Sequence, residues 1–311
     1  MTVPLISLVI ATFNRARLIR EALDSVAAST IEPASLVEVI VVDNNSTDDT
    51  AAVIAAIRDK GYPFPLKYVL ETNQGTSHAR NRGISEAHGK YVVFMDDDQR
   101  IDPAYLANVE AVFQETGAAC VGGPVYYYNA KDIPHWLAPI LKHKGQVNHG
   151  DSPRTLEVNG PKLGGGNIAF ERDALAAIGP YDVRLGHHGD ALGGSEDWEI
   201  QDRAIEQGYV VAYHPKLIQY HYLRPERYRK HYWRKLYFAY GRSLYLRNDW
   251  RTANLFLGAP RVMWWFLLTR DFRRLVRAWL TLDRAHTFEK QLGLWLQAGK
   301  IYAARQARHG R

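Results

Sequence analysis

Apolar runs and amphipathic stretches alternate along the first 117 residues of this chain. The apolar runs are rich in β-branched and aromatic residues and predict strands buried on both faces. Between them, apolar residues such as Ile19, Leu23 and Val26 recur with helical spacing. Strands that alternate with helices in this way indicate βαβ units, so we predict an α/β fold with a mostly parallel central sheet flanked by helices. The predicted strands cover residues 5–11, 38–42, 67–70 and 91–95, and the predicted helices cover 18–28, about 50–57, 77–87 and about 103–115.

The alternation ends after Gly117, and a less regular region follows. Residues 129–156 contain several prolines and glycines and predict a flexible lid or acceptor loop. Short strands are predicted again at residues 210–213 and 217–220. We therefore expect the first domain to span residues 1–223.

Charge divides the chain at the same place. The whole chain has a net charge of +6, yet residues 224–311 contain 20 Lys and Arg against 5 Asp and Glu, a balance of +15. The remaining 19 basic and 28 acidic residues, of 39 and 33 in all, give residues 1–223 a balance of −9. An acidic domain followed by a basic extension predicts two parts with different partners.

The basic extension interleaves aromatic and basic side chains and predicts amphipathic helices, among them residues 272–282 and 288–304. Such helices bind anionic membrane surfaces. The alternative is that they pack on the first domain or form a dimer, and the pattern leaves the oligomeric state open. We expect no binding to nucleic acid, because the sequence contains no nucleic-acid-binding module.

Composition narrows the class of protein further. Hydrophobic residues make up 46% of the chain, which excludes a disordered protein. The single cysteine, Cys120, excludes a disulfide framework and favours a reducing compartment. We expect neither a signal peptide nor an apolar stretch of about 18 residues that would span a membrane. The expected location is cytoplasmic, with peripheral attachment to the cytoplasmic face of the membrane through the basic extension.

Three consecutive carboxylates, Asp96, Asp97 and Asp98, follow the predicted strand 91–95 directly. Parallel strands end at one edge of a sheet, where open α/β sheets bind their ligands. Asp43 and the turn after the first strand are expected at the same edge. Adjacent carboxylates repel one another unless a positive partner is present, and a divalent cation with a diphosphate would serve. The alternatives are a solvated acidic turn and, for Asp43, an Asx turn or helix cap.

The nucleotide-binding patterns that the chain lacks exclude several classes of protein. No GxGxxG follows the first strand, which argues against a dinucleotide-binding oxidoreductase. No GxxxxGK[ST] occurs, which argues against a P-loop NTPase. Carboxylates at strand ends, together with a metal ion, fit the binding of a nucleoside diphosphate better than they fit either of these two classes.

Two later segments add candidate residues. Gly165, Gly166 and Asn167 precede a strand, and the glycines permit close approach of a ligand, a simple bulge being the alternative. Glu196 and Asp197 begin a predicted helix, where acidic residues are favoured by the helix dipole alone. In the functional interpretation, one of the two carboxylates is a general base aimed at a sugar hydroxyl.

A histidine at the end of a short strand is a candidate metal ligand. His221 ends the strand predicted at 217–220, close to the expected carboxylate edge. His214 is the alternative, and a structural role is open for both.

Taken in order, seven short motifs resemble those of the family-2 glycosyltransferases, which have the GT-A fold. Each motif alone is weak, but seven in the right order over residues 5–223 are highly specific. The motifs are Val9-Ile10-Ala11-Thr12-Phe13-Asn14-Arg15, Val41-Val42-Asp43-Asn44-Asn45-Ser46-Thr47-Asp48, Asn73-Gln74-Gly75, Ala79-Arg80-Asn81, Phe94-Met95-Asp96-Asp97-Asp98, Gly165-Gly166-Asn167 and Ser195-Glu196-Asp197-Trp198.

The resemblance implies roles for individual residues. On the donor side, Asp43 resembles the uracil-binding aspartate, and Asp96–Asp98 resemble the DxD motif, with Asp98 on the metal and Asp96 toward ribose or sugar. On the acceptor side, Asp197 resembles the base of the Glu-Asp pair, and His221 the additional metal ligand. Further implied contacts with nucleotide, diphosphate or sugar involve Thr12, Phe13, Arg15, Arg80, Asp97, Gly165, Gly166, Asn167 and Trp198.

These roles imply a reaction and a division of the first domain. We expect a nucleotide-binding half at about 1–117 and an acceptor-binding half at about 118–223. With Mn²⁺ or Mg²⁺, such an enzyme moves a sugar from a nucleotide-diphosphate sugar, most simply a UDP-sugar, to a hydroxyl of a glycan or lipid-linked acceptor, with inversion. The alternatives are a catalytically silent nucleotide-sugar-binding protein and a sugar nucleotidyltransferase.

Overall fold

A computed structural model of the chain describes residues 3–144, 146–158, 160–188, 192–247, 254–281 and 284–309. The chain divides into two compact units. The first contains residues 1–128, 146–183 and 196–222, and the second contains residues 223–311 with the segments 129–145 and 184–195.

An α/β sheet with eight strands forms the centre of the first unit. Its strand order is β3-β2-β1-β4-β9-β6-β10-β8, and the first four strands run parallel, as the alternating pattern predicts. Strand β9 is antiparallel to both of its neighbours. The strands of this sheet are β1 (Ile6–Thr12), β2 (Val37–Asp43), β3 (Leu66–Leu70), β4 (Tyr91–Asp96), β6 (Cys120–Gly122), β8 (Arg154–Thr155), β9 (Ile168–Glu171) and β10 (Val211–Tyr213).

Helices cover both faces of this sheet because its central strands present apolar side chains in both directions. Along β1, Leu8 and Ile10 join the core on one face, and Val9 joins the core on the other. All three side chains are fully buried. The helices of this unit are α1 (Ala16–Ala27), α2 (Thr50–Asp59), α3 (Thr76–Glu86), α4 (Tyr105–Thr116), α6 (Arg172–Ile178) and α7 (Glu196–Glu206).

Strand register brings three of the candidate site residues to one edge of the sheet. Thr12 pairs with Asp43 across β1 and β2, and Ala11 pairs with Asp96 across β1 and β4. Three strands therefore end at nearly the same level, and their polar termini face the same space.

A second, three-stranded sheet adds a histidine to that edge. It has the order β5-β11-β7, formed by β5 (Gln99–Ile101), β11 (Gln219–His221) and β7 (Val125–Tyr127). His221 pairs with Gln99, and the Tyr222 N–H donates to the Asp98 carbonyl at 2.8 Å. These contacts hold the end of β11 beside the acidic run.

The structure corrects one detail of the sequence prediction. Residues 129–156 are not irregular throughout, because they contain the helix α5 (Ala138–Lys144) and the short strand β8. The helix predicted over about 103–115 is α4, and the turn before it is held by the Asp102 side chain, which accepts from the Ala104 N–H at 3.0 Å.

The second unit is mainly helical. Helices α8 (Lys230–Arg247) and α11 (Arg284–His309) pack with their backbones in close contact, since a Cβ on Gly241 would lie 2.0 Å from the Leu296 carbonyl oxygen. A short β12–β13 hairpin (Leu255–Phe256 and Ala259–Pro260) precedes α9 (Arg261–Trp265), a π-helical turn (Phe266–Asp271) and α10 (Phe272–Leu280). None of the helices in the described residues is long and apolar enough to cross a membrane.

Candidate active site

Asp96, Asp98 and His221 form a group suited to a metal ion. Each offers a ligand atom, and these atoms lie within 4.8 Å of one another. Asp98 and His221 are buried, with 3.1 Å between His221 Nε2 and Asp98 Oδ1, and His221 Nδ1 has no hydrogen-bond partner among the described residues. Two carboxylates and an imidazole fit a divalent cation such as Mn²⁺. The group includes Asp96, for which the sequence analysis predicts a contact with ribose or sugar and not with the metal.

Arg80 connects two carboxylates that lie far apart in the sequence. It lies on α3, is buried, and pairs with Asp96 at 3.1 Å and with Glu196 at 2.9 Å. Although burial opposes its charge, Asp96 and Glu196 raise the pKa of Arg80 above its usual value. A permanently charged guanidinium therefore joins the end of β4 to the start of α7.

Asp197 is the second carboxylate at the start of α7 and is the more accessible of the pair. Its side chain is partly exposed, whereas Glu196 is buried against Arg80. Partial burial, and next the charge of Glu196, raise the pKa of Asp197 to about 7, although Arg80 acts in the opposite direction. A carboxylate with a pKa near neutrality suits proton transfer at physiological pH.

The glycine-rich loop before β9 passes close to these carboxylates. A Cβ on Gly166 would lie 2.4 Å from Asp96 Oδ2 and also 2.4 Å from Gln99 Oε1. A Cβ on Gly165 would lie 2.9 Å from the Asp197 Cβ. A side chain at either position would force its neighbours to shift, so the loop lies directly against the acidic residues. The close approach of a ligand to this loop stays a prediction.

Asn167 holds the end of this loop through three hydrogen bonds of its side chain. Its side chain is fully buried, accepts a hydrogen bond from the Tyr105 hydroxyl at 2.8 Å, and donates to the carbonyls of Pro124 and Leu217. A direct contact between Asn167 and a sugar stays a prediction. Trp198 lies in the first turn of α7, where it is partly exposed beside Asp197.

The turn after β1 contacts the acidic run. The Thr12 hydroxyl donates to Asp97 Oδ2 at 2.8 Å, and Phe13 and Arg15 follow on the same turn, both partly exposed. Burial, and next the charge of Asp98, raise the pKa of Asp97 to about 7, while Arg15 lowers it. Asp97 thus contacts the β1 turn. Asp96, by contrast, pairs with Arg80, and Asp98 pairs with His221.

Asp43 lies at the end of β2 and is held by two neighbours. Its Oδ1 accepts from the Ser46 N–H at 2.9 Å, and its Oδ2 accepts from the Tyr68 hydroxyl at 2.9 Å. The turn-stabilising role considered for Asp43 therefore exists in the structure. Each carboxylate oxygen has a second lone pair, so these bonds still allow a contact with a nucleotide base.

His214, the alternative metal ligand, lies outside the metal-binding group. It is buried 3.3 Å from Glu115 Oε1, and its Nδ1 accepts from the Lys216 N–H. Of the two histidines, only His221 lies with Asp96 and Asp98.

Sequence reasoning missed two residues that shape the site. Gln99 accepts from the Asp96 N–H at 3.2 Å and lies against the glycine loop. Gln99 directly follows the acidic run in the sequence, so its position could have identified it as a candidate site residue. Tyr68, the partner of Asp43, comes from the neighbouring strand β3 and carries no local signal.

A mostly parallel sheet with carboxylates, a candidate metal group and a buried arginine at its strand ends defines a nucleotide-sugar-dependent glycosyltransferase of the GT-A fold. The sequence model of the family described as "Glycosyl transferase family 2" matches residues 7–179, more than half of the chain. The chain therefore belongs to glycosyl transferase family 2, as the seven motifs predict.

Relatives of this chain are named as glycosyltransferases or as proteins of polysaccharide biosynthesis. The chain is 28% identical over 215 residues to the succinoglycan biosynthesis protein ExoM of Rhizobium meliloti (strain 1021), covering 67% of this chain and 63% of that protein. It is also 28% identical over 224 residues to the glycosyltransferase AglE of Haloferax volcanii, covering 72% of this chain and 69% of that one. The match thus spans about two thirds of each relative.

Solved structures share the fold. The mannosyltransferase PcManGT from Pyrobaculum calidifontis, in complex with GDP-Man and Mn²⁺, has a TM-score of 0.62 at 18% identity and covers 99% of this chain and 87% of that one. Residues 1–349 of S. aureus TarS, in complex with UDP-GlcNAc, have a TM-score of 0.56 at 18% identity, covering 98% and 92%.

Proposed function

We propose that this enzyme is an inverting, metal-dependent transferase that moves a sugar from a UDP-sugar to a hydroxyl of a glycan or lipid-linked acceptor. The observation that carries the proposal is the Arg80 bridge from Asp96 to Glu196. The bridge holds Asp96, a candidate metal ligand, close to the start of α7, where the candidate base Asp197 is the residue after Glu196. The division of the first domain into a donor half and an acceptor half near residue 117, and its end at residue 223, belong to the same proposal.

On the donor side, we propose that residues at the strand ends contact the nucleotide-sugar. Asp43 accepts a hydrogen bond from the base, and the β1 turn with Thr12, Phe13 and Arg15 lines the nucleotide. Arg80 and the acidic run face the diphosphate and sugar. A divalent cation, Mn²⁺ or Mg²⁺, held by Asp96, Asp98 and His221 would stabilise charge on the departing diphosphate.

On the acceptor side, Asp197 acts as general base. The acceptor hydroxyl gives its proton to the Asp197 carboxylate while its oxygen forms a bond to the anomeric carbon. The bond from that carbon to the diphosphate breaks, and its electron pair leaves with the nucleoside diphosphate. A single displacement of this kind inverts the configuration at the anomeric carbon, and the glycine loop, Gly165 to Asn167, with Trp198 borders the reacting sugars.

The relatives guide the choice of substrates. ExoM is named for succinoglycan biosynthesis, and a Campylobacter jejuni relative, 34% identical over 100 residues, is named as a glucosyltransferase acting on an undecaprenol-linked glycan. We propose an acceptor of the same general type, a growing polysaccharide or a lipid-linked glycan. We further propose that residues 224–311 hold the enzyme at an anionic membrane surface, where such an acceptor resides.

The direct test is release of UDP from a panel of UDP-sugars, with Mn²⁺ and with EDTA. We expect turnover of one donor, its loss in EDTA, and a loss of at least about a hundredfold in Asp197→Asn, the lower end of the usual contribution of a general base. Binding of UDP with Mn²⁺ should persist in that variant. Glu199→Gln, which removes a carboxylate from the same helix at an ion pair with Arg203, is the matched control.

The outcomes separate the alternatives. Full turnover in Asp197→Asn would place the base elsewhere. Binding of UDP with metal but no turnover of any donor in the presence of polysaccharide and lipid acceptors would support a silent binding protein, and release of pyrophosphate would indicate a nucleotidyltransferase.

A further inference from the structure

Large apolar side chains are exposed along one helical stretch of the second unit. Trp265, Leu268, Phe272, Trp279 and Leu280 are all more than half exposed, with values from 53% to 68%. They belong to residues 261–280, where α9, the π-helical turn and α10 follow without a break. A continuous exposed apolar patch of this kind marks an interaction site.

Their spacing aligns them along the helix. Within α10, Phe272, Val276 and Trp279 are related by four and three residues, so they lie on one face. Trp265 and Leu268, three residues apart, precede them. The exposed apolar residues of α9, the π-helical turn and α10 are called the 261–280 face below.

The exposed charges that flank the 261–280 face along the same helical stretch are positive. Five arginines lie in the stretch against one acidic residue, Asp271. Asp271 is buried, pairs with Arg270 at 3.0 Å, and accepts from Gln297 Nε2 at 3.2 Å. The exposed surface therefore combines apolar and cationic groups without a competing exposed carboxylate. The arginines are Arg261, Arg270, Arg273, Arg274 and Arg277.

Packing within the second unit accounts for the other basic helices. Helices α8 and α11 bury Trp233, Leu236 and Leu292, and their glycines permit contact between their backbones. The large apolar residues that these two helices expose, Leu246, Trp295 and Tyr302, are less than half exposed. The large apolar side chains of the 261–280 face are not buried against other parts of the chain that the structure describes.

We infer that the 261–280 face docks on an anionic phospholipid bilayer, with the helix lying in the plane of the interface. Exposed Trp, Phe and Leu enter the boundary between head groups and acyl chains, and the arginines contact the lipid phosphates. A second copy of the chain on this face is disfavoured, because a symmetric contact would oppose arginines to arginines. The inference rests on the membrane attachment proposed above for residues 224–311 and names the surface that makes it, and its test is independent of the proposed sugar transfer.

The test is binding of the full chain to vesicles by flotation, without donor or acceptor, so that catalysis does not enter. Vesicles of phosphatidylcholine alone are compared with vesicles that also contain phosphatidylglycerol, at low and high salt. We expect binding to the anionic vesicles only, and weaker binding in high salt because the charges are screened. Arg273→Gln/Arg277→Gln should lower the partition coefficient roughly thirtyfold, at about fivefold per arginine. Leu268→Gln/Trp279→Gln should lower it at least about tenfold.

Matched controls lie outside the face. Trp295→Gln removes an exposed tryptophan from α11, and Arg58→Gln removes an exposed arginine from α2. Both should bind vesicles as the wild type does, and circular dichroism with thermal melting checks that every variant is folded. Unchanged binding in the two double variants, equal binding to neutral vesicles, or an equal loss in Trp295→Gln would overturn the inference. A dimer in solution that Leu268→Gln/Trp279→Gln converts to a monomer, without binding to vesicles, would make the face a subunit contact instead.

Discussion

The residue that organises the site is Arg80, a buried cation between a strand end and a helix start. Its two ion pairs compensate charges that would otherwise be costly to keep away from water. Lysine cannot replace it, since a single ammonium group does not present two separated donors in a planar fork.

Replacing Arg80 with glutamine should therefore both destabilise and inactivate the enzyme. We expect a loss of about 3–5 kcal/mol in the free energy of unfolding, because Asp96 and Glu196 lose their charged partner. Urea denaturation measures this loss, and calorimetry with Mn²⁺ tests whether metal binding is altered as well. Arg82→Gln is the control, since Arg82 lies on the same helix in an exposed pair with Glu86, and it should cost less than about 1 kcal/mol. Similar losses in the two variants would refute the bridging role.

The pH dependence of turnover should report on Asp197. Because the base must be ionised and its pKa is raised to about 7, kcat should rise with pH and reach half its plateau near that value. Glu196→Gln removes a neighbouring negative charge, which favours ionisation, so the midpoint should move to lower pH. A rate that is flat between about pH 5 and 9, or a midpoint that moves to higher pH, would contradict the assignment.

Gly166 offers a test of the close approach in the glycine loop. Gly166→Ala would place a methyl group 2.4 Å from Asp96 Oδ2, so the loop or the carboxylate must shift. We expect a fall in turnover of at least about tenfold, as misplacement of reacting groups costs heavily. Gly164→Ala is the matched control, because its nearest side-chain contact is an ordinary 3.5 Å to Val147. Equal activity of the two variants would show that the close approach does not matter.

At the scale of elements, the helix pair of the second unit depends on two glycines. A Cβ on Gly241 or Gly299 would lie 2.0 Å from a backbone carbonyl of the facing helix. Gly299→Ala should lower the free energy of unfolding by about 1–3 kcal/mol, the usual cost of overpacking. Gly293→Ala, on the same helix with contacts of 3.5 Å or more, should be neutral or stabilising by up to about 1 kcal/mol. Thermal denaturation of the two variants compares them directly.

The sequence predicts the long elements well and the short ones poorly. Strands β1, β2 and β4 have enough consecutive apolar residues to be recognised, and parallel register then brings Thr12, Asp43 and Asp96 to one edge. The three-residue strands β5 and β7 have too little pattern of their own to be recognised. Strand β11 overlaps the strand predicted at 217–220, but the sequence does not predict its pairing with β5 and β7, because these partners are distant in the chain. For the same reason, the sequence indicates Asp98 and His221 as candidates but not the Arg80 to Glu196 pair.

At the scale of the whole molecule, the division of charge matches a division of structure. Residues 1–223, which have a net negative charge, contain the whole of the first unit, and the edge of its sheet carries the carboxylates of the candidate site. The basic residues 224–311 form most of the second unit, in which one helical stretch exposes apolar and cationic side chains. The two proposals therefore place substrate chemistry and membrane attachment in separate parts of the chain.

The Arg80 bridge also bears on how the enzyme folds. Arg80 reaches Asp96 across 16 residues of sequence but Glu196 across 116, so the second contact requires closure of a long loop. Contacts of such separation form late, after helices and neighbouring strands have assembled. During refolding from urea, catalytic activity should therefore return after the helical signal in circular dichroism. A chain that is still emerging from the ribosome lacks a working site until α7 has been made.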